Sequence, residues 1–122
     1  MPLSAEGAFD GLGASNLGAY SFVENGSGLS RVRARTLDSF ELADVGLIKI
    51  DVQGADGEVL AGARDTLARC RPVVVFEWEE LLARNFGVSF QTVVESLNGL
   101  NYKLEVLKRS SEKQVDYIAR PL

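Results

Sequence analysis

From residue 47 onward the apolar positions change period repeatedly, and each change marks an element. Leu47-Ile48-Lys49-Ile50-Asp51-Val52 is mostly apolar and β-branched, the composition of a central parallel strand covered on both faces. Val59, Leu60, Ala63, Leu67 and Cys70 then fall on one continuous helical stripe, with Glu58, Arg64, Asp65 and Arg69 on the solvated side. Pro72 stops that helix, and Val73 to Phe76 makes a second buried strand ending at Glu77. Strand, helix and strand predict a βαβ unit with parallel, neighbouring strands.

The rest of the chain is read in the same way. A short helix is expected from Glu79 to about Arg84, closed near Gly87. Ser89 suits the cap of a further helix, in which Phe90, Val93, Val94, Leu97 and Leu100 recur at helical spacing; Gly99 or Asn101 would end it. Tyr102 to Lys108 alternates, Arg109 to Lys113 is polar, and Val115 to Ala119 alternates again, which predicts a terminal antiparallel hairpin. Upstream, Val32 to Thr36 alternates as a half-exposed edge strand would. Residues 1–30 are rich in Gly, Ser and Asn, and read as a loop or poorly ordered segment with one short strand at Ala19 to Val23. An α/β sheet of about five strands, carried mainly by residues 31–122, is the expected fold class.

The chemistry concentrates where the first strand ends. Asp51 lies just beyond its carboxyl end, where open α/β sheets place their ligands. Gly54 permits a tight turn, and acids at Asp56 and Glu58 suit the positive end of the following helix. Lys49, two residues before Asp51, leaves the strand on the same face. A lysine inside a buried strand needs a carboxylate, so Asp51 and Glu77 are its predicted partners, as a structural ion pair or a proton-transfer group. Gln53 can hydrogen-bond a ligand but cannot act as a base. Glu77 with Trp78 offers an acid and an aromatic, either a place for an acceptor to stack or a helix-start acid beside a packing indole. Asp38 reads as an N-cap or turn acid, and Cys70, on the apolar stripe, as a buried inert thiol.

Composition removes several function classes. The chain has 122 residues, 46% hydrophobic and 25% charged, the balance of a globular domain. A net charge of −4 argues against nucleic acid as the main partner. No apolar run is long enough to cross a bilayer, and a single cysteine makes a reducing cytoplasm the expected compartment. The absence of histidine excludes imidazole acid–base catalysis, and no metal site is expected.

Three blocks together resemble one family. Thr36-Leu37-Asp38-Ser39-Phe40, the run from Lys49 to Ala63, and Arg71-Pro72-Val73-Val74-Val75-Phe76-Glu77 resemble, in order and spacing, the C-terminal half of the FkbM family of S-adenosylmethionine-dependent methyltransferases. Gln53 and Asp56 stand where that family often has glutamate. The resemblance implies a partial Rossmann-like methyltransferase sheet and O-methyl transfer to a small-molecule acceptor. It also implies a catalytic set of Asp51, Lys49 and Glu77, with Asp51 and Gln53 at the cofactor. The family's first strand and glycine-rich turn find no counterpart before residue 30. Gly11-Leu12-Gly13-Ala14-Ser15-Asn16 has no apolar strand leading into it. The first half of the fold is therefore expected to be missing, and S-adenosylmethionine to bind this chain weakly or not at all. Two classes stay open: a methyltransferase that is incomplete alone, or a non-catalytic binding or assembly module. A homodimer or larger homo-oligomer would cover the sheet edge such a fold exposes.

Overall fold

The computed structural model describes residues 33–122. Strand β1 (Leu47–Ile50) leads through helices α1 (Asp56–Ala61) and α2 (Arg64–Cys70) to strand β2 (Val73–Glu79). Helix α3 (Glu80–Ala83), helix α4 (Phe90–Gly99) and the strands β3 (Tyr102–Arg109) and β4 (Gln114–Pro121) follow. The four strands form one mixed sheet in the order β1-β2-β4-β3. β1 and β2 are parallel, Leu47 opposite Val73 and Ile50 opposite Phe76, while β4 is antiparallel to both β2 and β3. The predicted βαβ unit and terminal hairpin are both present.

Alternation along the strands sorts their side chains into two faces. Ile50, Val74, Phe76, Trp78, Val115, Ala119 and Tyr102 are buried beneath the helices, where they meet Leu60 and Leu67 of the first helices and Val93 and Leu97 of α4. Phe76, Tyr117, Phe90 and Trp78 form a chain of ring contacts across this core, with centroids 5.0–5.5 Å apart. Arg71 joins two corners. It ends α2 at φ 54°, its guanidinium donates to the carbonyls of Leu100 and Asn101, and the Tyr102 hydroxyl donates to Pro72 O at 2.6 Å.

Several expectations are corrected. β1 is not covered on both faces: among the described residues it pairs with β2 alone, Leu47 is 65% exposed, and Lys49 on the same face is exposed as well. The single helix expected after β1 is two. The chain at Leu37–Phe40, a 3-10 turn, packs into the break: Asp38 N–H donates to Gly62 O at 2.9 Å, and a Cβ at Gly62 would lie 3.0 Å from Thr36 Cγ2. An inserted backbone donor interrupts the helical ladder there. Residues 33–36 form no strand, because Thr36 caps that turn by accepting from Ser39 N–H. Described residues thus contribute four strands rather than five, and the strand expected at 19–23 lies outside them.

Candidate active site

The carboxyl ends of β1 and β2, the amino end of β4 and the last residues of β3 share one edge of the sheet. Ile50 opposite Phe76 is the final β1–β2 pair, so Asp51 and Glu77 are the next residues on adjacent strands. The chain turns after Asp51 through two left-handed residues, Gln53 at φ 52° and Gly54 at φ 102°. Gln53 tolerates that conformation at a cost; Gly54 is required by it. A Cβ on Gly54 would stand 2.6 Å from the backbone carbon and oxygen of Leu82, so the turn is pressed against α3. Gln53 Nε2 donates to Asp51 Oδ1 at 3.2 Å, which brings both residues expected at the cofactor into contact.

Asp56 is the most constrained acid of this edge. It opens α1, is 2% exposed, and its Oδ2 has no hydrogen-bond partner among the described residues. Burial foremost, with the charges of Glu77 and Asp51 adding to it, pushes its carboxyl up to about 7 against the pull of the Gly54 and Asp56 amide N–H groups. Burial also raises Glu77, and the charges of Asp51, Asp116 and Glu79 add to the effect. The Gln114 amide opposes it, donating to Glu77 Oε1 at 2.8 Å. Asp51, Asp56 and Glu77 therefore form one electrostatically coupled group.

Lys49 does not join this group. It is exposed and makes no ion pair among the described residues, so the predicted pairing with Asp51 and Glu77 is absent. On an edge strand with one uncovered face, an ammonium keeps its water and needs no counter-charge. Glu77 and Trp78 are adjacent in sequence but occupy opposite faces. The Trp78 indole is 7% exposed, packs on Phe90, and donates to Glu80 Oε2 at 2.8 Å, which is the packing role.

Other residues hold the frame. Glu58, expected to be solvated, accepts from Gly87 N–H and Val88 N–H and ties α1 to the chain before α4. Asp38 accepts from Asp65 N–H, Thr66 N–H and the Thr66 hydroxyl at 2.8–3.0 Å, a cap supplied to α2 from outside its own sequence. Cys70 is half-buried, its thiol 3.6 Å from Leu42 O. Sequence reasoning read Asp56 only as a helix-start acid and missed Asp116 and Gln114. An acid at the first turn of a helix after an active strand was the available signal for Asp56; the other two depend on the β2–β4 register. Among the described residues no three Asp, Glu or Cys are placed to hold a metal ion.

A family model described as the methyltransferase FkbM domain matches residues 3–104, which includes β1, β2, all four helices and the start of β3. No curated protein and no solved structure matches the chain. With 102 of its 122 residues within that match, and with the acid-bearing strand ends and glycine turn in place, the chain belongs to the FkbM methyltransferase family.

Proposed function

We propose that the chain takes part in S-adenosylmethionine-dependent O-methyl transfer to a small molecule, on a Rossmann-like sheet whose reacting edge carries Asp51 and Glu77. The observation that carries this reading is the coupled acids at the β1 and β2 ends, with the orphaned Oδ2 of Asp56 buried beside them. The donor set fits the cationic parts of that cofactor, its sulfonium and its ammonium, which carboxylates attract. When bound, the cofactor supplies an activated methyl group on sulfonium. Asp51, exposed at the strand end and braced by Gln53, would hold that positive charge. Glu77 would take the proton of the acceptor hydroxyl, a task for which a raised carboxyl is suited because proton transfer is most efficient when the base is matched to the working pH. Lys49, unpaired on the neighbouring surface, would attract an acidic part of the acceptor. Asp56 would act through the other two, since a protonated carboxyl there adds no negative charge beside them.

Calorimetric titration of the protein with S-adenosylmethionine, followed by assay for S-adenosylhomocysteine with candidate hydroxyl acceptors, tests this reading. Binding weakened in Asp51→Asn and turnover lost in Glu77→Gln are expected; equal behaviour of both variants and the parent would overturn the assignments.

A second reading is favoured by one observation, the exposed Leu47 on β1, which has one strand partner among the described residues. In it the domain is a non-catalytic assembly module, a homodimer or larger homo-oligomer paired through β1. Light scattering that shows a monomer at micromolar concentration removes it. No helix among the described residues is long and apolar enough to cross a membrane.

A further inference from the structure

A second concavity opens at the same sheet edge, on the helix-covered face. It has a volume of about 410 Å³ and lies between α3 and the β3–β4 turn. That size is within the roughly 300–1,000 Å³ of small-molecule sites. Its floor is apolar, made by Trp78, Val115 and Tyr117. Its rim brings together Arg84 after α3, Arg109 at the end of β3 and Lys113 in the turn.

None of these three cations has an ion pair or a side-chain hydrogen bond among the described residues. Among the other described basic side chains five of nine are engaged: Arg69 with Asp65, Lys103 and Arg120 with Glu105, Arg71 with two carbonyls, and Arg35 over the Phe40 ring. Three like charges from three separate elements around one hollow repel one another, in a chain whose net charge is −4. Two acids share the rim, Glu80, which accepts from the Trp78 indole and keeps its charge, and Glu112, so the cations outnumber the carboxylates by one. The rim therefore carries a net positive charge, with no ion pair formed among its described residues.

We propose that this cleft binds the oxyanion of a small organic ligand, a phosphate or carboxylate group carried on an apolar or ring-bearing body that covers the floor. Two guanidinium groups offer forked donors to such an oxyanion, and Lys113 adds a point charge. Resting on the methyl-transfer reading, the cleft would hold the anionic end of the acceptor. The acids at Asp51 and Glu77 lie on the other face of the same sheet edge and repel that end, which leaves the cationic cleft as its seat.

The binding site can be tested without the cofactor, which separates its failure from failure of the methyl-transfer reading. Trp78 is the only tryptophan, so its fluorescence reports on this cleft. Inorganic phosphate, pyrophosphate and citrate are titrated at ionic strength held constant with sodium chloride, the first two reporting phosphate chemistry and the third carboxylate chemistry. A saturable fluorescence change with either class is expected. Arg84→Gln/Arg109→Gln should weaken it by about tenfold or more, as expected for loss of two charge-assisted partners. The control Arg33→Gln/Arg64→Gln, with the same charge change elsewhere on the exposed surface, should leave it unaltered. Circular dichroism confirms the fold of each variant, and Lys113→Gln alone supplies an independent, smaller loss. Absence of a saturable change with all three anions, or equal weakening in the control, would overturn the proposal.

Discussion

Two carboxylates meet the amino ends of successive helices, Asp38 at α2 and Asp56 at α1, and their surroundings treat them in opposite ways. Burial works against the charge of Asp38, but the amides of Thr66 and Asp65, the Thr66 hydroxyl and the Arg69 guanidinium outweigh it and hold the carboxyl below its usual range. Asp56 is buried more deeply, has an oxygen with no partner among the described residues, and is surrounded by further acids, so its carboxyl rises to about 7. Both positions enjoy the same favourable helix terminus. The difference is in what lies around it. A satisfied carboxylate joins two segments of chain, whereas an unsatisfied one near Asp51 and Glu77 is a reserve of electrostatic strain at the candidate site.

The largest effect that sharpens this contrast comes from the turn between Asp51 and Asp56. Gly54→Ala places a Cβ against the Leu82 backbone at a left-handed φ, and should cost about 4 kcal/mol of strain and overpacking in urea denaturation. A loss under about 1 kcal/mol would mean that α3 does not press on the turn.

Asp38→Ala should cost about 2–3 kcal/mol at pH 7, since three charge-assisted hydrogen bonds vanish and the amino end of α2 loses its cap. Exposed Asp51→Ala should stay within about 0.5 kcal/mol. Equal destabilisation by the two would erase the distinction between frame and site.

The pH dependence of stability follows, with opposite signs for the two acids. Between 3.8 and about 7 folded Asp56 keeps a proton that the unfolded chain releases, so its contribution falls as pH rises through that window. Asp38 is the reverse: its contribution is present above 3.8 and is lost as pH falls through its lowered value. Asp56→Asn should flatten the decline and raise stability at pH 8 by about 1–2 kcal/mol, read from denaturation midpoints against pH. An unchanged slope in that variant would show that Asp56 is not the buried titrating group.

Glu77→Gln should have a small effect on stability, within about 1 kcal/mol, because an amide can still bond Gln114 and the repulsion from neighbouring acids is removed. Its effect on turnover should be far larger, and a turnover equal to the parent's would move the proton-accepting role elsewhere.

The two regions also differ in how far the sequence revealed them. Asp51 and Gly54 were legible, because a strand that ends in an acid and turns on glycine is a local pattern. Asp38 was legible only as a capping acid; which helix it caps depended on a contact 27 residues away. The lysine at 49 was misread as paired because the apolar run around it suggested burial, and burial depends on what else covers the strand. Asp56 could be recognised as an acid at a helix start, but not as a buried one.

Local physics set the order of elements, the stop at Pro72, the cap at Ser89 and the family blocks, since each rests on side chains a few residues apart. Tertiary structure alone decided that β4 enters beside β2, which brings Gln114 and Asp116 to Glu77. It decided that the segment at Leu37–Phe40 splits one helix into two, and that three cations from separate elements gather around Trp78. Those outcomes depend on strand register and on packing between distant segments, and no periodicity within one segment encodes where another will lie.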